Sequence, residues 1–266
     1  MRNTVFMEEM TWKEIKQSIE EGKDTAILVA ASMEQHGPHL PIATDTIIGY
    51  ALAGSAAQRL GNALVAPVIR PALSQHHVGF PGTITFRMKT FLGVLKDCCS
   101  GLKAHGFRNA VLFVSHGGNM DALKAFTPYI ARDIGNDMRI HLVFALERFM
   151  ETTREILDKQ GITPEKAGVH AGFSETALML YLRPDLVDMN LAGPGLVEEK
   201  FYRRENLENF KISTFIHGIG HFSWNGILGD PMGADARVGE EIFQATVEGL
   251  VEEIRQCLGM EGGKES

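Results

Sequence analysis

The sequence predicts an α/β fold in which a mostly parallel sheet is covered by helices on both faces. Short, continuously apolar runs such as TAILVAA and AVLFV have the length and composition of strands that are buried on both sides. These runs alternate with longer stretches of helical spacing, which is the pattern of βαβ units. Together the two observations favour a sheet of parallel strands joined by helical crossovers.

The elements follow in order along the 266 residues. Thr11, with Glu14 three residues later, has the pattern of a capping box that begins the first helix. Thr44 or Asp45 can cap a later helix, and Pro67 predicts an edge strand or an irregular strand. The predicted strands span residues 25–31, 63–69, 110–114 and 139–145, and the predicted helices span residues 11–21, 44–60, 89–105, 119–132, 174–182 and 235–257.

Glycine and polar residues are frequent over residues 193–233, where we expect loops or short strands. The chain is long enough for one large domain with a sizeable core. We expect a single domain over residues 1–260 and a flexible tail over residues 261–266.

The composition argues against several classes of protein. A net charge of −7 and a pI near 5.8 do not fit nucleic-acid binding, which needs a basic face. No apolar run is long enough to cross a membrane, and the first residues lack the apolar core of a signal peptide. The three cysteines form no C-x-x-C pair, so a disulfide framework is not expected. We expect a cytoplasmic enzyme that acts on a small molecule.

Three polar clusters directly follow predicted strands, at residues 32–45, 74–83 and 115–119. In an open parallel sheet, ligands bind outside the carboxyl ends of the strands. Side chains that are far apart in the sequence are therefore expected to converge on one edge of the sheet.

The first cluster predicts a metal site. Glu34 and His36 are two residues apart, so an extended chain points both side chains the same way. A carboxylate and an imidazole suit Zn²⁺, Mn²⁺ or Fe²⁺. Asp45 can face back toward this pair, and its two oxygens can bridge two metals. The alternative is an ordinary loop in which Asp45 only caps a helix.

The cluster at residues 115–119 contains His116, followed by Gly117 and Gly118, which let the backbone approach a ligand closely. Such a loop could also bind phosphate, but the lysine of a P-loop and the G-x-G-x-x-G motif are absent from it. No G-x-S-x-G motif indicates a serine nucleophile.

Further along, His170 and Glu175 flank a glycine turn that begins a helix. The helix dipole favours a carboxylate at this position. The alternative for Glu175 is a simple capping role.

Five segments resemble the motifs of the creatininase (creatinine amidohydrolase) family. The family's first motif, E-Q-H-G-x-H-L-P-x-x-T-D, is matched in full by residues 34–45. The other matches are G-F-P-G-T at residues 79–83, H-G-G-N at 116–119, H-A-G-F-S-E-T at 170–176 and N-G-I-L-G-D-P at 225–231. The resemblance implies a three-layer α/β/α sandwich, a hydrolytic site with two metals, and a homo-oligomer, with hexamers typical of the family.

The resemblance also implies which residues hold the two divalent ions, which would be Zn, Mn or Fe. One metal would be held by Glu34, Asp45 and His116, and the other by His36, Asp45 and a second carboxylate. Creatininases carry that second carboxylate as a glutamate at the position of Gly118. In this chain Glu175 is the nearest replacement.

By the same resemblance, a metal-activated water would be the nucleophile, and His170 would carry a proton to the leaving nitrogen. His170 and Glu175 are therefore the catalytic candidates. Two tryptophans that enclose the creatinine ring in creatininases fall at Glu147 and Lys166, which predicts a more polar substrate than creatinine. These two positions, with His77 and Gly117, are the predicted substrate contacts.

The sequence thus predicts a metal-dependent amidohydrolase that cleaves a non-peptide C–N bond in a small linear or cyclic amide or a formamide. Two alternatives remain open. One is a hydrolase that opens the ring of a cyclic diketone, and the other is a non-catalytic oligomeric binding protein with the same fold.

Overall fold

A computed structural model describes residues 2–143 and 153–260 of the protein. Within these ranges, four parallel strands form one sheet in the order β2-β1-β3-β4. Strands β1 (Thr25–Ala30) and β3 (Asn109–Val114) lie in the middle, and β2 (Ala63–Val65) and β4 (Arg139–Val143) lie at the edges. The predicted edge position of the second strand is confirmed.

The two central strands are buried along their whole length because both faces of the sheet are covered. Successive side chains of a strand point to opposite faces. Ile27 and Val29 therefore pack into one core, while Ala26 and Leu28 pack into the other. This two-sided burial explains why the strands read as continuous apolar runs rather than as alternating patterns.

Helices cover both faces of the sheet, as predicted. The described helices are α1 (Trp12–Glu20), α2 (Thr44–Leu60), α3 (Met88–Ala104), α4 (Met120–Ile134), α5 (Pro164–Ala167), α6 (Phe173–Leu182), α7 (Glu199–Tyr202), α8 (Arg204–His217) and α9 (Ala236–Leu258), and residues 153–159 are also helical. Helices α2, α6 and α9 share one core with the sheet, and α1, α3 and α4 share the other. The predicted three-layer α/β/α architecture is confirmed. No helix in the described part of the chain has both the length and the apolar character that a membrane span requires.

Two local predictions are wrong. Neither Thr44 nor Asp45 caps α2, because the N-cap residue is Ala43 and both predicted caps lie inside the first turn. The region 193–233, predicted as loops or short strands, contains α7 and α8. Helix α8 buries few of its residues, so its sequence shows little of the apolar periodicity that would reveal a helix.

Three other predictions concern residues that lie outside the described ranges. The last part of the fourth predicted strand, residues 144 and 145, lies outside them. So do Glu147 and the predicted tail at residues 261–266. By contrast, the capping box at Thr11 and Glu14 is present, with the side chain of each residue bonded to the backbone of the other.

The carboxyl ends of β1 and β3 lie level with each other because Ala30 pairs with Val114. The side chain of Asn119 joins the loops that follow these strands. Its Nδ2 donates to the carbonyl oxygens of Ala30 and Ala31, at 3.1 and 2.9 Å, and its Oδ1 accepts from the backbone N–H of Leu73 at 3.1 Å. The loops after β1, β2 and β3 are thereby held at one edge of the sheet.

Candidate metal centre

The structure brings the polar clusters at residues 32–45 and 115–119 together at this edge. The ligand atoms of Glu34, His36 and Asp45 all lie within 4.8 Å of one another, and all three residues are buried. Asp45 faces inward from the first turn of α2, and its Oδ2 accepts a hydrogen bond from Ser32 Oγ at 2.6 Å. The carboxylate is therefore oriented toward the loop after β1 rather than toward the helix backbone.

His36 turns its Nε2 toward this carboxylate. Its Nδ1 lies 3.1 Å from the backbone carbonyl of Glu34, which can only accept, so Nδ1 carries the hydrogen. Its Nε2 lies 3.4 Å from Asp45 Oδ1 and 3.8 Å from Glu175 Oε2. This buried nitrogen has no hydrogen-bond partner among the described residues.

His116 faces the other oxygen of the same carboxylate. Its Nε2 lies 3.0 Å from the carbonyl oxygen of Leu73 and therefore carries the hydrogen, while its Nδ1 lies 3.0 Å from Asp45 Oδ2. Glu34 Oε2 lies 3.3 Å from His116 Nε2 but makes no hydrogen bond with any described residue. Each oxygen of Asp45 thus faces a nitrogen of a different imidazole.

This donor set fits divalent metals. Two ligand atoms of one tetrahedral zinc ion, each about 2.1 Å from the metal, lie roughly 3.4 Å apart. The separations of 3.4 Å and 3.0 Å between the Asp45 oxygens and the two imidazole nitrogens are close to that value. Backbone carbonyls that hold the distal nitrogens of both imidazoles are the usual outer support of histidine ligands. The residues present therefore suit a site for two cations with Asp45 between them.

The buried groups also shift one another's pKa values. Burial opposes the charged form of His36, but the carboxylates of Asp45, Glu175 and Glu34 outweigh burial and raise its pKa to about 9. Burial likewise opposes ionisation of Asp45, but His36 and His116 hold its pKa well below the usual range. The carboxylates thus favour positive charge between them, which either protons or a divalent cation can supply.

Position 118 cannot supply the second carboxylate that creatininases have there. A Cβ at Gly118 would collide with the ring of His116 and with the carbonyl oxygen of Leu73. By contrast, a Cβ at Gly117 would meet no atom within 4 Å. There is therefore open space beside Gly117, which is one of the predicted substrate contacts. Any side chain at position 118 would displace the His116 imidazole.

Glu175 brings a further carboxylate next to His36. Its Oε2 is 3.8 Å from His36 Nε2 and accepts the backbone N–H of Ala171 at 2.5 Å. Ala171 has a φ of 53°, which is uncommon for a residue with a side chain and places its N–H toward the carboxylate. The ligand atoms of His36, His170 and Glu175 lie within 4.8 Å of one another.

His170 and His77 complete the cluster. The ring of His170 lies 4.2 Å from that of His36 and 4.5 Å from that of His77, measured between centroids. Burial, together with the neighbouring positive charge of His36, lowers the pKa of His170 well below its usual range. Burial is also the main cause that lowers the pKa of His77 well below its usual range. Both rings are therefore neutral imidazoles.

Two buried histidines of the site were not predicted. His39 Nε2 lies 2.9 Å from Thr176 Oγ1, which ties the first motif to helix α6, and burial with the charge of His36 lowers its pKa to about 4. His76 packs on Phe215 with 4.1 Å between ring centroids, and burial lowers its pKa to about 3. Both histidines stand within the matched motifs or beside them, so position in a motif was the only available signal.

The remaining predicted substrate contacts are placed differently. Lys166 lies in α5, and its Nζ is 5.8 Å from the ring centre of Phe173 rather than directed at the carboxylates. Glu147 lies outside the described residues. The roles of these two residues stay predictions.

Comparison with known proteins agrees with this geometry. Residues 8–254 match the Creatininase family, described as creatinine amidohydrolase. The chain belongs to the creatininase family. Its relatives include a mycofactocin precursor peptide peptidase of Mycolicibacterium smegmatis, 31% identical over 86% of this chain and 84% of the relative. They also include a creatinine amidohydrolase of Pseudomonas putida, 31% identical over 71% of this chain and 76% of that enzyme.

A solved structure of a creatininase mutant of the Zn-Zn type has the same fold. It is 25% identical to this chain in sequence and superposes with a TM-score of 0.75. The superposition covers 96% of this chain and 98% of that chain. The resemblance predicted from the motifs is therefore confirmed. Because one relative is a peptidase, membership of the creatininase family does not restrict this chain to non-peptide bonds.

Proposed function

We propose that this creatininase-family protein is a metal-dependent hydrolase of a C–N amide bond. The observation that carries the proposal is the arrangement around Asp45, where nitrogens of two imidazoles face the two carboxylate oxygens at 3.4 and 3.0 Å. A buried lone pair beside a buried carboxylate is unfavourable unless positive charge lies between them. Two divalent cations would satisfy both pairs at once.

We assign the ligands by the family resemblance and by the contacts of Asp45. One cation would be held by Glu34, Asp45 and His116, and the other by His36, Asp45 and Glu175. The 3.8 Å between Glu175 Oε2 and His36 Nε2 supports the second set, together with the steric exclusion of any side chain at Gly118. Zn²⁺ and Mn²⁺ suit this mixture of imidazole and carboxylate ligands.

When bound, such cations would polarise the scissile carbonyl group and lower the pKa of a water molecule. The chain's own contribution is to orient the substrate and to move a proton. His170 is neutral, lies within the cluster, and has its Nδ1 3.8 Å from Glu34 Oε1. It can accept a proton at Nδ1 and release it to the leaving nitrogen, which is the usual work of a catalytic imidazole.

The relatives and the space beside His116 indicate which class of substrate the site accepts. Both relatives described above are hydrolytic enzymes, one a creatinine amidohydrolase and the other a precursor peptide peptidase. The open space beside Gly117 supports entry of a substrate next to His116. We propose that the scissile bond is an amide C–N bond in a small linear or cyclic amide, a formamide or a short peptide.

The test is a substrate panel assayed with the purified protein after loading with Zn²⁺ or Mn²⁺. The panel contains cyclic amides, formamides, short peptides and cyclic diketones, and product formation is followed by mass spectrometry. Release of an amine or ring opening of an amide, lost on chelation and restored by metal, supports the proposal. Turnover of cyclic diketones alone would overturn it in favour of C–C hydrolysis, and no metal binding at all would favour a binding protein.

We also propose that the chain forms a homo-oligomer, with the hexamer of its family as the expected size. Large apolar side chains that are more than two-thirds exposed, namely Trp12, Ile216 and Trp224, support association. Sedimentation velocity at micromolar concentration should show an assembly of six chains, and a single monomeric species would contradict this expectation.

A further inference from the structure

Gln35 lies between two proposed metal ligands, and its buried carboxamide touches four groups of the site. Its Oε1 accepts the backbone N–H of Gly37 at 2.8 Å, and its Nε2 donates to the carbonyl oxygen of Gly226 at 3.0 Å. The same Nε2 lies 2.9 Å from His77 Nδ1 and 3.0 Å from His170 Nε2. No other carboxamide in the described ranges contacts two histidines of this cluster.

The orientation of this carboxamide is fixed by the two backbone groups. If it were rotated by half a turn, its NH₂ group would face the N–H of Gly37 and its oxygen would face the carbonyl of Gly226. Both contacts would then be repulsive, because a backbone N–H only donates and a carbonyl only accepts. The two hydrogens of Nε2 are therefore directed away from Gly37.

This orientation decides the protonation of His77. The Nε2 of Gln35 cannot accept a hydrogen bond, so His77 Nδ1 at 2.9 Å must be the acceptor. A neutral His77 then carries its hydrogen on Nε2. That nitrogen faces Glu34 Oε1 at 3.4 Å, so His77 presents an N–H to the site.

A different contact of the same residue decides the protonation of His170. Its Nε2 lies 2.7 Å from the backbone carbonyl of Gln35, which can only accept, so Nε2 carries the hydrogen. The two hydrogens on Nε2 of Gln35 are donated to Gly226 and His77. The 3.0 Å contact of this nitrogen with His170 Nε2 therefore adds no hydrogen bond. With its hydrogen on Nε2, His170 turns its Nδ1 to the site, 3.8 Å from Glu34 Oε1.

We infer that Gln35 is a positioning residue that gives two neighbouring imidazoles different roles. Both rings are held as the Nε2–H tautomer, but they face Glu34 with different nitrogens. His77 offers a hydrogen-bond donor, suited to an oxygen on which negative charge develops. His170 offers a lone pair, suited to accepting a proton or binding a cation.

The assignment also selects among possible ligand sets. The ligand atoms of Glu34, His77 and His170 lie within 4.8 Å of one another. With its Nδ1 occupied by the donor from Gln35, His77 could bind a cation through Nε2 only as an imidazolate. This set is therefore not a metal site, and the donor of His77 stays available to a substrate. The hydrogens on Nε2 of both rings follow from the hydrogen-bond contacts, whereas their use in hydrolysis rests on the proposed function.

Neutron diffraction of the perdeuterated, zinc-loaded protein tests the tautomers directly, without a substrate. Deuterium is expected on Nε2 of both His77 and His170 and on neither Nδ1. In Gln35→Glu the side chain can no longer donate, so deuterium should appear on Nδ1 of His77. His170 should be unchanged, because its partner is a backbone carbonyl. Deuterium on Nδ1 of His77 in the natural protein would overturn the inference.

A kinetic measurement complements this test once a substrate is known. Gln35→Glu should lower kcat by about 10²- to 10³-fold, the usual loss on removing one donor to developing negative charge, while metal content stays at the natural level. Gln58→Glu, a matched change on the exposed side of α2, should leave kcat unaltered. A loss of metal equal to the loss of kcat in Gln35→Glu would indicate a merely structural residue and would overturn the inference. Failure of the whole substrate panel would count against the proposed function but not against the tautomers.

Discussion

Replacing Asp45 with alanine should remove both metal ions, whereas replacing a residue that binds a single metal should remove only that one. The reason is that its Oδ1 faces His36 and its Oδ2 faces His116, at 3.4 and 3.0 Å. A ligand that binds only the native state stabilises it by about 4.1 kcal/mol at a free concentration of 1,000 Kd. Near the melting point, 1 kcal/mol shifts Tm by roughly 2–4 °C for a chain of this size, so loading one site should raise Tm by about 8–16 °C.

The assay combines metal analysis of the purified protein with thermal unfolding before and after addition of Zn²⁺ or Mn²⁺. The natural protein should contain two equivalents and show the rise in Tm, and Asp45→Ala should contain close to none and show no rise. Asp121→Ala is the matched control, because Asp121 also lies in the first turn of a helix that follows a central strand but is exposed. Two equivalents of metal in Asp45→Ala would refute the bridging role.

Three further predictions follow from single contacts. Gly118→Ala should lose metal and about 1–3 kcal/mol of stability, because its Cβ collides with a proposed metal-binding imidazole. The control Gly117→Ala should keep its metal and its stability, since a Cβ there meets no atom within 4 Å. Metal analysis and urea titration of both variants check this. Glu175→Gln should reduce the metal content from two equivalents to one, while Glu199→Gln, in the first turn of another helix, should retain two. The backbone N–H of the α1 N-cap residue lowers the pKa of Glu14 from 4.5 to about 2. Its stabilising contribution should be present above pH 4.5 and be lost as the pH falls toward 2, so the stability difference between the natural protein and Glu14→Gln should vanish over that interval.

The sheet and its edge could be predicted because they depend on patterns that are local in the sequence. Strands β1 and β3 are buried on both faces, so each reads as an unbroken apolar run. Parallel strands place their carboxyl ends at one edge, so Glu34 and His116 could be expected to meet without knowledge of their contacts. The helix at α8 could not be predicted in the same way, because it buries only two of its residues, Phe210 and Thr214.

The inner structure of the site depends on contacts that the sequence does not encode locally. The carboxamide of Gln35 contacts groups that are 42, 135 and 191 residues away along the chain. The motif therefore marks Gln35 as part of the site but says nothing of what it holds. The cap prediction for Asp45 was wrong for a related reason. An aspartate at a helix start usually accepts backbone N–H groups, but here Ser32 and two imidazoles take its oxygens.

In the proposed ligand assignment, Gly118 and Glu175 are linked, because position 118 has no room for the carboxylate that Glu175 would supply. Without a side chain at Gly118, the His116 ring packs directly against that backbone, so a glutamate could return only if the imidazole moved. Glu175 approaches His36 from the segment that also carries His170. A cation held by Glu175 would therefore be linked to the proposed proton carrier by the short segment from His170 to Glu175. A substitution that shifts the start of α6 should therefore disturb metal binding and proton transfer together, whereas one that shifts the loop after β3 should disturb only the cation at His116.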